Sequence, residues 1–174
     1  MKSFILPDLL EKNLPLVFIG TAASARSAEE QAYYAHPGNR FYRTLFATGL
    51  VPTLIAPKDF PTLLNYGIGL TDIHKTQSGA DSELRHDGGA AQKLREKIIA
   101  FQPETIGFTS KTAAAWFYEK KTGSLLSYGK QTDTISNAHV HILPSPSGRA
   151  VAYWDIKPWQ KLAIAVRGES LYNQ

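Results

Sequence analysis

The chain reads as an α/β protein, a three-layer α/β/α sandwich around a largely parallel central sheet. Three observations predict it. Short β-favouring apolar runs alternate with longer stretches of helical pattern, the arrangement that yields a parallel sheet covered by helices. The run Leu16–Ile19 is apolar without a break and closes on Gly20, as a strand buried on both faces does. A length of 174 residues supports one sound core and leaves little room for two, so residues 1–174 are read as a single domain.

Taken in order, residues 1–15 form an arm that packs before the first strand. After Gly20, the residues Thr21, Ala22, Ala23 and Ser24 are small enough for a ligand to approach the backbone. Donors exposed at such a turn attract anionic or developing-anion groups. A helix is expected to start at Asn39, a good N-cap with Pro37 and Gly38 just outside, and to end at Gly49. Phe41, Leu45 and Phe46 give it an inward face, and Tyr34 and His36 lie on the loop before it, where binding groups concentrate. Asp59 to Tyr66 reads as a short helix, Ile68 to Ile73 as a strand and His74 to Asp81 as a polar loop. Ser82 to Phe101 has a helical pattern weakened at Gly88-Gly89, a candidate break. Thr105 to Thr109 is a strand and Lys111 to Lys121 a helix. Gln131–Ile135 and His139–Leu143 form strands joined across Ser136-Asn137-Ala138, a hairpin turn. A last helix spans Val151 to Gly168, bent or split by Pro158.

Composition excludes several kinds of chemistry. With no cysteine there are no disulfides, no thiolate catalysis, no zinc–thiolate site and no protein-ligated iron–sulfur cluster. His139 and His141 alternate along a strand without metal-ligand spacing and read as core or surface residues, so no metal is expected. A net charge of +4 and a pI near 9.2 suit a phosphate-rich partner without establishing one. The first apolar run is too short and too interrupted for a secretion signal, and nothing approaches a membrane span; a cytoplasmic protein without a membrane partner is expected. The segment GTAASARS matches neither GxGxxG nor GxxxxGK[ST], and it is not a GxSxG nucleophile elbow. In open parallel sheets ligands bind beyond the carboxyl ends of the strands. That places the turn after Gly20, the segment Thr71–His74 and the loop after Leu143 on one rim.

Four segments carry a family resemblance. Tyr34-Ala-His-Pro-Gly-Asn-Arg-Phe41 resembles the AHPxNxFW signature of mismatch-specific uracil-DNA glycosylases and the related thymine-DNA and deoxyinosine glycosylases. The spacing from Gly20 to Tyr34 fits the bacterial mismatch-specific branch without a gap. His141-Ile-Leu-Pro-Ser-Pro-Ser-Gly148 resembles the family's LPNPSG motif. Tyr66-Gly-Ile-Gly-Leu-Thr-Asp72 resembles its central strand, and Ile106-Gly-Phe-Thr-Ser-Lys111 its later strand-to-helix turn. The four blocks stand in the family's order and cover most of the chain.

The resemblance implies a monofunctional glycosylase of base excision repair, a monomer that needs neither metal nor cofactor. Its partner is DNA containing uracil or another deaminated or mismatched base, which it flips out before hydrolysing the N-glycosidic bond. Tyr34 matches the aromatic residue that stacks on the extruded base, while the segment Gly20, Thr21, Ala22, Ala23, with Ser145, faces the base's polar edge. Ser145 replaces the family's asparagine, whereas Pro146, Ser147 and Gly148 match; Ser147 and Gly148 then hold the nucleotide backbone. Arg149 and Ala150 match the loop that fills the vacated space, although an arginine there is also an ordinary phosphate contact. Lys111 is a phosphate contact or a solvated lysine at a helix start.

One departure matters most. The first turn reads GTAAS where the mismatch-specific enzymes carry GINPG, so the asparagine that helps activate water is replaced by Ala22, whose methyl group cannot orient water. Two catalytic candidates remain. Asn39 stands where deoxyinosine-type glycosylases keep their polar residue, and Asp72 ends a strand on the same rim. Each has a structural alternative: Asn39 as a helix cap worth about 1 kcal/mol, Asp72 as a brace for the loop before His74. His36 is read as scaffold. Two other functions stay open: a catalytically inactive lesion- or mismatch-binding protein of the same fold, which Ala22 favours, and a nucleotide-binding module using the Gly20 turn, against which the missing phosphate motifs weigh.

Overall fold

The apolar runs assemble into one sheet. β1 (Leu16–Gly20), β2 (Ile68–Asp72), β3 (Thr105–Phe108) and β5 (His139–Ile142) run parallel, and β4 (Gly129–Lys130) pairs antiparallel with β5. The strand order is β2-β1-β3-β5-β4 in a computed structural model that describes residues 3–120 and 123–168. Because side chains alternate along a strand, Leu16 and Phe18 enter one core and Val17 and Ile19 the other. The first core is closed by α2 (Phe41–Ala47) and α5 (Lys157–Arg167), which bury Phe41, Leu45, Trp159 and Leu162 completely. The second is closed by α3 (Gly88–Phe101) and α4 (Lys111–Phe117) through Leu94, Ile98, Ala113 and Phe117. Helices therefore cover both faces of the sheet, the α/β sandwich that the alternating pattern predicts. Trp159 stacks on Phe18 at 5.6 Å and donates its indole N–H to the Pro144 carbonyl at 3.0 Å. That bond satisfies the ring's one polar atom and fixes the loop after β5 to α5.

The arm packs as expected, with Leu6 and Leu9 buried. Leu9 exchanges both backbone hydrogen bonds with Leu70, at 2.9 and 2.8 Å, adding one rung to β2. Beside it, Asp8 accepts from the Thr71 hydroxyl at 2.6 Å and pairs with Lys75 at 3.0 Å and Lys97 at 2.5 Å. Burial would raise the pKa of the Asp8 carboxyl, but the two ammonium groups and the hydroxyl outweigh it and hold the group below its usual range. His141 is buried, and among the described residues neither of its ring nitrogens is hydrogen-bonded. Burial, with Lys130 and His139 adding to it, pushes its pKa down to about 4, so the ring is neutral.

Several boundaries differ from the sequence reading, each for a local reason. An additional helix, α1 (Ala25–Glu30), follows the first turn because the Ser24 hydroxyl accepts from Ser27 N–H at 3.1 Å and caps it. The helix expected from Ser82 begins at Gly88, where Asp87 accepts from Ala90 N–H at 2.9 Å; the glycine pair opens the helix. Ser136 and Asn137 both take left-handed backbone angles, φ 47° and 70°, and close the expected hairpin turn on the Ile135–Ala138 bridge. The strand before it, however, is reduced to Gly129–Lys130 rather than Gln131–Ile135. The expected final helix is split into a 3-10 turn, Gly148–Tyr153, and α5, which Pro158 opens from its first turn. α4 ends at Phe117, and Lys121 lies outside the described residues. Phe46 points to solvent, while Tyr42 and Thr44 join Phe41 and Leu45 inside. Among the described residues no helix is long and apolar enough to cross a membrane.

Candidate active site

Gly20 ends β1 beside its register partner Asp72 on β2. A Cβ on Gly20 would lie 2.7 Å from Asp72 Oδ1, 3.2 Å from the Tyr34 hydroxyl and 3.4 Å from Thr109 Oγ1. Glycine is thus what allows three polar groups, from β2, from the loop before α2 and from the end of β3, to converge on one point.

Thr109 directs its hydroxyl at the Ile19 carbonyl, 3.4 Å away, which leaves the Tyr34 hydroxyl to donate to Thr109 at 3.2 Å. Tyr34 also stacks on Phe41, with centroids 4.0 Å apart and an interplanar angle of 24°. Its backbone is left-handed, φ 53°, a conformation that costs a bulky residue on the order of 1–3 kcal/mol. The Phe41 stack, the Thr109 bond and the 2.6 Å bond from the Tyr42 hydroxyl to the Tyr33 carbonyl hold it there. Burial, with the Asp72 charge adding to it, raises the Tyr34 phenol above its ordinary range, so the hydroxyl remains a donor.

Asp72 is 5% exposed, and among the described residues no hydrogen bond reaches its carboxylate. Burial pushes its pKa up to about 6; Lys75 and Lys97 oppose the shift and Asp8 adds to it. The loop that follows is braced by backbone rather than by this side chain. Ile73 N–H donates to the Gly20 carbonyl, His74 N–H to Thr21 and Gly79 N–H to Ala23, at 2.9, 2.8 and 2.9 Å. The Thr21 hydroxyl donates to Asp81 at 2.7 Å, while Ala22 contributes a half-buried methyl group. Farther along, His74 Nε2 lies 3.0 Å from His86 Nδ1, and His86 stacks on Trp116. Among the described residues no three or more acidic, histidine or cysteine side chains are grouped to hold a metal.

A second cluster joins the loop before α2 to the loop after β5. Arg40 N–H donates to the Pro146 carbonyl at 2.8 Å, and Gly38 N–H to Nδ1 of the exposed His36 at 2.9 Å. A Cβ on Gly148 would stand 3.1 Å from the Gly38 carbonyl oxygen, so a side chain there would have to push the Gly38 backbone aside by a few tenths of an ångström. Asn39 Oδ1 accepts from Phe41 N–H at 2.9 Å, one residue ahead of the helix cap at Arg40. Among the described residues this is the one hydrogen bond of the Asn39 side chain, which has two amide donors and a second lone pair besides. Ser145 Oγ accepts from Ser147 N–H at 3.3 Å, and Ser147 Oγ accepts from Arg149 N–H at 3.2 Å, which starts the 3-10 turn. Arg149 is exposed on that turn and Ala150 half-buried. Lys111 leaves the end of β3 with its ammonium 4.3 Å from the centre of the Tyr128 ring.

Gly20, Tyr34 and Asp72 therefore meet with Thr109 at one point. Asn39, Ser145, Ser147, Gly148 and Arg149 belong to the adjoining loops, and the Tyr34–Phe41 stack links the two groups. Thr109 was missed by sequence reasoning. A threonine closing a strand expected in a parallel sheet was the available signal.

The model of the Uracil DNA glycosylase superfamily matches residues 7–165. The solution NMR structure of a candidate uracil DNA glycosylase from Methanosarcina acetivorans superposes with a TM-score of 0.59, covers 98% of each chain and is 22% identical in sequence. At that identity the likeness speaks for the fold, and it is the α/β fold described above. With a match that runs through the arm, the sheet and both rim loops, the chain belongs to the uracil DNA glycosylase superfamily.

Proposed function

We propose that this protein is a monofunctional DNA glycosylase that acts as a monomeric single domain in base excision repair. It removes uracil, or another deaminated or mismatched base, by flipping the nucleotide and hydrolysing its N-glycosidic bond. One observation carries the reading: a buried carboxylate, Asp72, without a hydrogen-bond partner among the described residues, beside Gly20 where the strand ends meet.

A base within a duplex is out of reach, so the nucleotide rotates outward at a cost of a few kcal/mol. Tyr34, held rigidly, offers the stacking surface, and the segment Thr21–Ala23 with Ser145 faces the base's polar edge. The C1′–N bond breaks with its electron pair going to the base, which departs as an anion. Donors fixed at that edge stabilise charge that exists only near the transition state. Asp72 places negative charge beside the sugar cation that forms at the same time. Asn39 orients the attacking water, whose oxygen bonds to C1′ and whose proton passes to Asp72 and on to solvent. This arrangement is an atypical member of the mismatch-specific branch, with the work of the missing asparagine at Ala22 moved to Asn39 and Asp72. A second reading, a lesion-binding protein without catalysis, is favoured by Ala22 itself.

An excision panel separates the two. Uracil, hypoxanthine and thymine opposite guanine are placed in single-stranded and duplex oligonucleotides, and free base is measured under single-turnover conditions. Release of any of them is expected; binding without release of any base would establish the inactive reading.

Arg149 permits a narrower prediction. A side chain that fills the gap left by the extruded nucleotide matters where a stack must be held open. Arg149→Ala should therefore slow cleavage in duplex more than in single strands. Equal losses in both, with a salt slope for binding shallower by about one charge, would make it a phosphate contact instead.

A further inference from the structure

The turn that carries Arg149 is fastened at both ends to one residue of the neighbouring loop. Gly148–Tyr153 forms the turn, with Pro146 shortly before it and Trp154 directly after. Arg40 reaches both. Its backbone N–H donates to the Pro146 carbonyl at 2.8 Å, and its guanidinium carbon lies 5.3 Å from the centre of the Trp154 ring. The Arg40 backbone is itself fixed, because it caps α2 and its carbonyl accepts from Thr44 N–H at 2.8 Å. Trp154 is backed in turn by Trp159, with ring centres 6.1 Å apart.

The indole is the guanidinium's partner. Among the described residues Arg40 forms no ion pair and no side-chain hydrogen bond, and its Nη1 is enclosed. A half-buried cation without a carboxylate is held by the aromatic face, whose quadrupole attracts it. The turn's own bonds do not replace this contact. Ala150 N–H donates to the Ser147 carbonyl and Trp154 N–H to that of Val151, at 3.0 and 3.2 Å. Both bonds are internal, so they shape the turn without tying its far end to the loop before α2.

We propose that Arg40 is a positioning residue for Arg149: by holding both ends of the turn it sets where that side chain enters the duplex. The proposal rests on the glycosylase reading and on Arg149 acting in the duplex. Arg40→Ala keeps the Pro146 bond, which needs only backbone, and releases the Trp154 end. A turn tied at one end spreads Arg149 over more positions, and a displaced group costs rate where it must act. A single strand has no stack to hold open and should not register the loss.

The test compares the full chain with Arg40→Ala, Arg40→Met, Arg40→Lys, Arg149→Ala and the double alanine variant. Single-turnover uracil release is measured from duplex and from single-stranded oligonucleotides. Affinity for a duplex holding a tetrahydrofuran abasic analogue is measured in parallel, since it needs no catalysis. Arg40→Ala should slow duplex release roughly tenfold, within the range for a partly desolvated cation–π contact, and single-strand release by less than about twofold. Methionine, which keeps an apolar stem without the charge, should behave as alanine does, and lysine, which keeps a cation able to reach the ring, should lose less. The double variant should be slower than Arg149→Ala by less than about twofold, because residues that act as a unit are not additive. Equal losses on both substrates, an undiminished duplex rate in Arg40→Met, or losses that multiply in the double variant would each refute the positioning role, while uracil release by wild type keeps the glycosylase reading. If wild type binds the analogue duplex without releasing base, that reading falls and the same cycle, read in affinity, decides the role of Arg40. If wild type neither binds nor cleaves, both fall.

Discussion

Asp72→Asn is expected to slow single-turnover base release by at least about a hundredfold and, at neutral pH, to make the fold more stable. The rate loss is the usual scale for removing a positioned polar catalyst. The gain in stability follows from the raised carboxyl pKa. A group whose pKa rises from 3.8 to about 6 on folding binds its proton more tightly in the native state. Stability therefore falls as pH climbs through that interval, and above it the native state carries a penalty on the order of 3 kcal/mol. Asparagine has nothing to ionise, so the variant's Tm should exceed that of wild type at pH 8 and match it near pH 4. His141 acts in the opposite sense, because its pKa is depressed to about 4 and unfolding takes up a proton below its ordinary 6.5. In the wild type these two slopes oppose one another between about pH 4 and 6; in Asp72→Asn the opposing carboxylate slope is gone, His141 and His74, whose pKa burial also lowers, act together, and stability should drop as the solution is acidified. The wild-type rate should rise about tenfold per pH unit below 6 and level off above, and the variant should lose that rise. A variant that cleaves as fast as wild type would reduce Asp72 to scaffold.

Asn39→Ala should also cost at least about a hundredfold in single-turnover rate, with little change in DNA affinity. A second effect accompanies it, because the Phe41 N–H loses its acceptor and the start of α2 loosens by about 1 kcal/mol, the net worth of one hydrogen bond. Asn39→Ser separates the two, since a hydroxyl can accept from the Phe41 N–H in place of the amide oxygen but lacks the reach and donors of the carboxamide. Low activity with recovered stability in the serine variant is the expected outcome. Near-normal cleavage by Asn39→Ala would leave the chemistry to Asp72.

The elements that the sequence disclosed are those whose apolar residues form an unbroken run or repeat with a period. Leu16–Ile19 reads as a buried strand because it is an unbroken β-favouring apolar run closed by Gly20, and all five residues of Leu16–Gly20 are buried. α1 escaped notice because Ala25–Glu30 is short and mostly polar, burying only Ser27, and is held by a single capping hydroxyl. Proline and glycine acted locally: Pro158 and Gly88 each begin a helix that the pattern had extended backwards. The rim was foreseeable from topology, and the fixed distance from Gly20 to Tyr34 placed both residues on it. The solitude of the Asp72 carboxylate was not foreseeable. It depends on the register of β1 against β2, on backbone bonds that brace the next loop without it, and on Thr109 arriving from a third strand. No window along the chain contains those three facts together.

The arm bears on how the protein behaves when crowded. An open sheet has two edges, and an unpaired edge strand invites another chain to pair with it. Here β2 is one edge, and the Leu9 rung falls on Leu70 at its middle, with Asp8 and its two lysines alongside. The other edge, β4, is two residues long, and its first residue is a glycine at φ 97°. One edge is occupied by the chain's own backbone and guarded by charge; the other is too short and too bent to serve as a template. Neither edge therefore offers a free strand for a neighbouring molecule to extend.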